Sequence, residues 1–371
     1  MAKNNKSCPE ASCRLNKVGG QAVLEGVMMK AGERTVTTCR KDDGSLAVYD
    51  SKFVSVRKKH KLLNIPILRG VINFVEMMTL SVKTMSNSAN ALGLDDEESK
   101  FEKWLKRHLG IGVTSVIMIL AVIIGLALAI GLFMFLPNFI SGLLDNYVFD
   151  GKLGAWGSAI EGVIKILIFI LYLWLISFMR DIKRTFMYHG AEHKSIACFE
   201  SGAELTPENA KNYTRFHPRC GTSFMFFMIL LGVFVGFFLK LIFEGLNVWA
   251  YTGIRLLLLP LVVGLGYEFI MFAGKHDNFI VKILSAPGLW VQRITTKEPT
   301  EDMLEVAITS IKCALRDDFA EFKEFYEARP WEAKKEAEET AEEIGDTQNT
   351  VAEKGVCEAA DSSAKEENEA I

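Results

Sequence analysis

Residues 111–136 read IGVTSVIMILAVIIGLALAIGLFMFL, with no charged side chain from end to end. A helix needs about 20 such residues to cross the hydrocarbon core of a bilayer at ~1.5 Å per residue, so this run sets the class of the chain. Three further apolar runs lie near 155–178, 223–243 and 254–273. Together they predict an α-helical polytopic membrane protein with about four transmembrane helices. The later runs are less clean. Glu161 and Lys165 stand near the start of the second, Lys240 near the end of the third, and Arg255 and Glu268 within the fourth. An ionisable group at membrane depth is costly unless it meets a partner or a cavity, so each of these needs one.

The polar remainder sets the orientation. The N-terminal MAKNNKSCPEASCRLNKVGG is basic and lacks the apolar core of a cleavable signal, which predicts that it stays where it is made. Lys100, Lys103, Lys106 and Arg107 precede the first run, and seven Lys/Arg fall in 179–222, whereas 137–154 carries only Lys152 and 244–253 none. Lys275, Lys282, Arg293 and Lys297 follow the fourth run. This asymmetry places both termini and the 179–222 loop in the cytoplasm, with Arg255 dissenting. Seven cysteines, at 8, 13, 39, 198, 220, 313 and 357, all fall on that reducing side without C-x-x-C spacing, which argues against a disulfide framework. A net charge of −3 carries no nucleic-acid signature. Topology and contact with membrane lipids account for the basic residues beside the spans.

Six segments follow. Residues 1–17 read as a disordered lead, and 18–60 as a small cytoplasmic β module with a hairpin of RTVTTCR (34–40), the turn KDDG (41–44) and SLAVY (45–49). Amphipathic and juxtamembrane helices occupy 61–110: Leu68, Val71, Ile72, Val75, Met78 and Val82 form one stripe, with Arg69, Asn73, Glu76 and Lys83 off it. That helix is expected on the membrane surface or against the bundle. The membrane region, 111–273, contains the loop 179–222, where Thr206-Pro-Glu-Asn209 opens a short helix that turns the chain back. In the cytoplasmic helical segment 274–330, Thr300 precedes Leu304, Ile308, Ile311 and Leu315, a one-faced helix that must dock on something. The stretch 331–371 reads as a disordered acidic tail, with thirteen Asp/Glu against four Lys/Arg from Glu332 onward.

The chemistry concentrates in H-G-A-E-H, residues 189–193, followed by H-P-R-C at 217–220. With six histidines in the chain, an H-x-x-E-H arises by chance on the order of once in a hundred such sequences. On a helix, positions i and i+4 share a face, so His189 and His193 can reach one divalent metal ion, zinc being favoured for such ligands. His217 or Cys220 would complete the shell across one loop. Glu192 is then the general base that activates a bound water, as in the soluble inverzincin peptidases, whose third ligand is instead a downstream glutamate. A cysteine in the shell is commoner in closed structural sites, and a histidine pair packing a short helix remains an alternative. Glu268, His276 and Asp277 are further titratable groups near the same face, each with a bland reading as an interfacial carboxylate or a solvated turn. Glu25, in the glycine-dense GGQAVLEGVMM (19–29), reads first as part of a tightly packed turn and strand.

GGQAVLEGVMM (19–29), YHGAEHK (188–194), HPRCGTSF (217–224) and APGLWVQRITTKEP (286–299) together resemble the YqhQ-like family of bacterial membrane proteins, over about 18–320. That family is a domain of unknown function whose members are described as predicted metal-dependent enzymes. The resemblance implies a bacterial inner membrane, and it joins Glu25, His189, Glu192, His193, His217 and Cys220 into one constellation. The expected activity is that of a metal-dependent hydrolase acting on a peptide or lipid-linked substrate at the cytoplasmic membrane face. The alternative is a non-enzymatic scaffold or assembly factor whose metal fixes the loop. Oligomeric state has no sequence signature here.

Overall fold

The computed structural model describes residues 14–93, 113–217, 220–243, 245–273 and 279–332. Most of the expected N-terminal lead, the juxtamembrane stretch 94–112, His276 with Asp277, and nearly all of the acidic tail lie outside these residues.

The chain opens as an antiparallel meander in the order β1-β2-β3-β4, with β1 Val18–Val23, β2 Gly26–Ala31, β3 Arg34–Arg40 and β4 Leu46–Lys52. The expected hairpin is β3–β4, with Arg34 opposite Lys52 and Arg40 opposite Leu46. GGQAVLEGVMM forms the hairpin before it, closed on Leu24 and Glu25, the latter at φ 47° in the left-handed region that tight hairpin turns require. Successive side chains point to opposite faces, so Val27, Met29 and Ala31 enter one core while Met28 joins Val23, Cys39 and Leu80 in another.

Helix α1, Leu68–Ala91, covers the second face through Leu80. Its buried residues are Gly70, Leu80, Thr84 and Ser88, whereas Leu68, Val75, Met78 and Val82 of the predicted stripe are exposed. Leu80 packs inward among small and polar groups, and those four residues of the stripe face out.

Helices α2, Val113–Ile130, and α3, Leu136–Val148, run on through a π-helical turn at Gly131–Phe135. The widened turn makes room for the Pro137 ring, so the helix passes the proline instead of ending near 136 as the hydropathy alone predicts. Helix α4, Gly157–Ile176, returns alongside α3. After α5, Arg180–Glu200, and the short α6, Pro207–Lys211, helix α7, Gly221–Ile242, packs on α4. The fourth apolar run is not one rod: α8, Val248–Leu257, and α9, Leu259–Ala273, meet at 44°. Pro260 at the start of α9 lacks the N–H that a continuous helix would use.

Among the described residues, three helices, counting α2 and α3 as one, are long and apolar enough to cross a membrane, or four if the bent pair is one span. Leu126, Leu128, Leu167, Leu171 and Phe234 are each more than half exposed, an apolar surface that water would penalise and lipid would not. Length, composition and this surface suggest a membrane protein.

The chain closes with α10, Phe279–Thr295, against α7, then α11, Glu301–Ala314, and α12, Ala320–Ala328. Helix α11 docks as its spacing demands. Leu304, Ile308, Ile311 and Leu315 are buried with Val27, Met29 and Val36 of the sheet and with Ala191 and Phe199 of α5. Ser310 Oγ donates to the Val27 carbonyl at 2.9 Å. The first face of the sheet, α5 and α11 thus share one core, and α5 is the rod that carries H-G-A-E-H through it.

Candidate metal centre

The turn holding His189 and His193 is pinned from outside its own helix. The extended segment that follows α10 crosses α5 at Gly190, where an added Cβ would stand 2.0 Å from the Lys297 carbonyl oxygen. No other residue fits there. The crossing is sealed by Lys297 N–H donating to the Phe186 carbonyl at 2.8 Å, and it brings the Thr295 carbonyl within 2.9 Å of His189 Nδ1. His193 Nδ1 lies 2.6 Å from the Arg215 carbonyl.

Those two contacts assign the tautomers. A carbonyl oxygen can only accept, so Nδ1 of each imidazole carries the proton and Nε2 keeps its lone pair. His189 Nε2 faces Cys220 Sγ at 3.2 Å, and the imidazole rings lie 4.4 Å apart. Ligand atoms of His189, His193 and Cys220 all fall within 4.8 Å of one another. A tetrahedral shell with bonds of ~2.0–2.3 Å places ligand atoms roughly 3.3–3.8 Å apart, so a small inward movement would close the triangle on one ion. Donation of the far imidazole nitrogen to a carbonyl is also how metal-bound histidines are usually oriented. Burial holds the His193 pKa below its ordinary value, which favours the neutral ring.

His217 comes close but points elsewhere. Its ring is 5.5 Å from that of His193, and its Nε2 lies 3.8 Å from a Glu200 carboxylate oxygen. The cause is Gln292 of α10, which clamps the His217 backbone: Oε1 accepts from its N–H at 2.8 Å and Nε2 donates to its carbonyl at 2.7 Å. Of the two further ligands expected, His217 and Cys220, the structure brings Cys220 into the triangle and sets His217 beside it.

Glu192 is buried on the neighbouring face of α5 and is not part of the triangle. Its Oε1 lies against Gly20 of β1, where an added Cβ would be 2.8 Å away, and its Oε2 has no hydrogen-bond partner. Burial pushes its pKa up to about 7, with His189 pulling weakly the other way. Glu25 is one turn further from the triangle. It pairs with Arg184 and accepts from the Tyr188 hydroxyl at 3.3 Å, so it ties the β1–β2 turn to α5. Burial and that carboxylate together raise the Tyr188 pKa. Glu268 on α9 is held by Arg69 of α1 with a 2.6 Å bond from Nε, a partner that residue counting within the bundle overlooks.

Two supports of the site escaped the sequence reading, Gln292 and the Thr295 carbonyl. Both belong to APGLWVQRITTKEP, whose density of unusual residues was the available signal. Lys194, the last residue of YHGAEHK, closes the cradle by pairing with Glu298 at 2.8 Å and donating to the Lys211 carbonyl at 2.9 Å.

The model of a family described as "Protein of unknown function (DUF1385)" matches residues 65–317. The chain is also 36% identical over 307 residues to "Uncharacterized protein YqhQ" of Bacillus subtilis (strain 168), an alignment that covers 80% of this chain and 92% of that one. No solved structure matches it.

Proposed function

The chain belongs to the DUF1385 family, and on that premise we propose that it is a metal-dependent hydrolase, zinc being the favoured ion, working at the cytoplasmic face of a bacterial inner membrane with both termini on that side. The observation that carries this reading is the pair of Nδ1–carbonyl bonds, which leaves two imidazole lone pairs directed with Cys220 Sγ at one point. His189, His193 and Cys220 would hold the ion, leaving a fourth position open. A bound divalent cation would polarise both a water molecule and the scissile carbonyl or phosphoryl group.

Glu192 supplies the proton traffic. With a pKa near neutrality in the absence of an ion, it needs only a modest push to become the base that takes a proton from water. A cation nearby provides that push electrostatically. The water oxygen then bonds to the substrate's carbon or phosphorus, the leaving group departs, and Glu192 returns the proton to it. Gly20 leaves the space that the Glu192 carboxylate fills.

A peptide or lipid-linked substrate fits the position of the site. Cys220 directly precedes α7, and α10 packs through Val291 against Phe169 and Leu173 of α4, so the triangle sits where the apolar helices meet the sheet module. Around that junction Phe74, Val75, Met78 and Met85 of α1 and Trp290 of α10 present exposed apolar groups suited to a lipid interface.

The second reading is a structural metal in an assembly factor, favoured by the cysteine ligand and the burial of His193 and Cys220. Glu192→Gln separates the two when metal content is measured beside growth complementation. Retained metal with lost function supports the hydrolase, while retained metal with full function leaves the structural role. Absence of zinc, iron and manganese from the purified, metal-supplemented protein sinks both.

A further inference from the structure

At the end of the bundle remote from the triangle, the apolar helices enclose charge. Glu161 and Lys165 lie one and two turns inside the first residue of α4, about 6 and 12 Å along the helix. Glu161 is 1% exposed and pairs with Arg255 of α8. Lys165 Nζ, also buried, reaches the same Glu161 oxygen at 3.5 Å, a single long contact for a group with three donors. Lys240, at the end of α7, stands 5.5 Å over the Tyr251 ring, and Glu161 and Asp145 of α3 are the carboxylates whose charge it feels.

Both basic contacts fall on Glu161 Oε1, while its Oε2 is buried without a hydrogen-bond partner. Tyr251 and Ser158 hydroxyls both donate to the Gly236 carbonyl, at 3.0 and 3.2 Å, and Arg255 Nη2 reaches the Gly232 carbonyl at 3.5 Å. Among the described residues, three cations therefore share two carboxylates, and Asp145 also spends one oxygen on the Leu153 N–H. A positive charge left over at membrane depth is expensive, and an entering anion relieves it. Lys240 is only half-buried and gives the cluster a route outward. The surrounding rim is apolar and aromatic: Trp156, in edge contact with Phe237, and Leu241 are exposed, as at a bilayer interface.

We propose that Lys165, Lys240 and Arg255 form a binding site for a phosphate-type anion, supplied by the headgroup of an anionic phospholipid in the leaflet remote from the His–Cys triangle. Neither the metal nor the hydrolase reading is needed for it.

The test is thermal unfolding of the full-length protein in detergent, titrated separately with phosphatidylglycerol, phosphatidylcholine and inorganic phosphate. Phosphatidylglycerol is expected to raise the melting temperature and phosphatidylcholine to leave it unchanged. Each lysine removed, in Lys165→Gln, Lys240→Gln and the double variant, should weaken half-saturation about fivefold, as for a lysine near an anionic surface. Glu161→Gln, which deletes the opposing carboxylate, should strengthen it. If inorganic phosphate reproduces the shift and loses it in the same variants, the site stands with a soluble anion as its source. Identical responses to all three additives, or a phosphatidylglycerol shift undiminished by the lysine substitutions, would overturn the proposal. Should the double variant not fold, Lys240→Gln alone decides, because that side chain is partly exposed.

Discussion

The two polar clusters of this molecule are opposites in what they lack. At the sheet end, His189, His193 and Cys220 turn lone pairs inward because backbone carbonyls of 295 and 215 occupy the donor side of each ring. At the far end, lysine and arginine donors outnumber the carboxylates that receive them. On the proposals above, one arrangement would take a cation and the other an anion. Their construction differs too. The first is held by main-chain crossings that admit little adjustment, notably the Lys297 carbonyl over Gly190, while the second is built of long side chains that can rearrange around a guest.

The largest expected effect tests the first half of that contrast. His193→Ala or Cys220→Ser should reduce metal content, measured by plasma emission on protein purified with added zinc, from near stoichiometric to background. Lys165→Gln should leave it untouched. Equal loss from both ends would mean that the variants fail by misfolding and that the clusters are not independent.

Next comes the pH dependence of Glu192. Its folded pKa of about 7 lies above the ordinary 4.5, so between those values the folded chain keeps a proton that the unfolded chain releases. Stability of the metal-free protein therefore falls as pH rises through this window, by roughly 3 kcal/mol in total. Glu192→Gln removes the dependence. Relative to wild type, the variant should gain about 3 kcal/mol on going from pH 4 to pH 8 in denaturant melts, and parallel curves would place the carboxylate in solvent.

A third test addresses the crossing. Gly190→Ala must displace the Lys297 segment, and overpacking of this kind costs about 1–3 kcal/mol. Metal affinity should drop with it, since the Thr295 carbonyl at the end of α10 is continuous with that segment. The smallest effect is expected for Gln292→Leu, which frees the His217 backbone but leaves all three ligands, for a loss of about tenfold in metal affinity by competition with a chelator. A loss as large as that of His193→Ala would make Gln292, through His217, part of the ion's own shell.

Much of this architecture is legible before folding. The charge-free run from 111, the one-faced helix from Thr300, the hairpin after Arg34 and the H-x-x-E-H pair each announce themselves through short-range periodicity. Periodicity is silent where a feature depends on what lies opposite. The apolar stripe of α1 was expected on the membrane surface or against the bundle; it faces outward, and Gly70, Leu80, Thr84 and Ser88 are the buried residues. The first apolar run was read to 136, and a π turn carries the helix past Pro137. Arg255 dissented from the charge rule because it answers Glu161 across the bundle, and Glu268 answers Arg69 from a helix almost two hundred positions earlier.

Local chemistry alone therefore set the helical class, the apolar spans and the two imidazoles on one face, since each follows from the 3.6-residue repeat of a helix and the cost of exposing apolar surface to water. Which cysteine or histidine joins them, which ring nitrogen is left bare, and where Glu192 points were decided only when the chain at 295–297 crossed Gly190 and Gln292 gripped the chain at 217. Those choices depend on hydrogen-bond partners about a hundred residues apart, and no short-range pattern encodes such pairings.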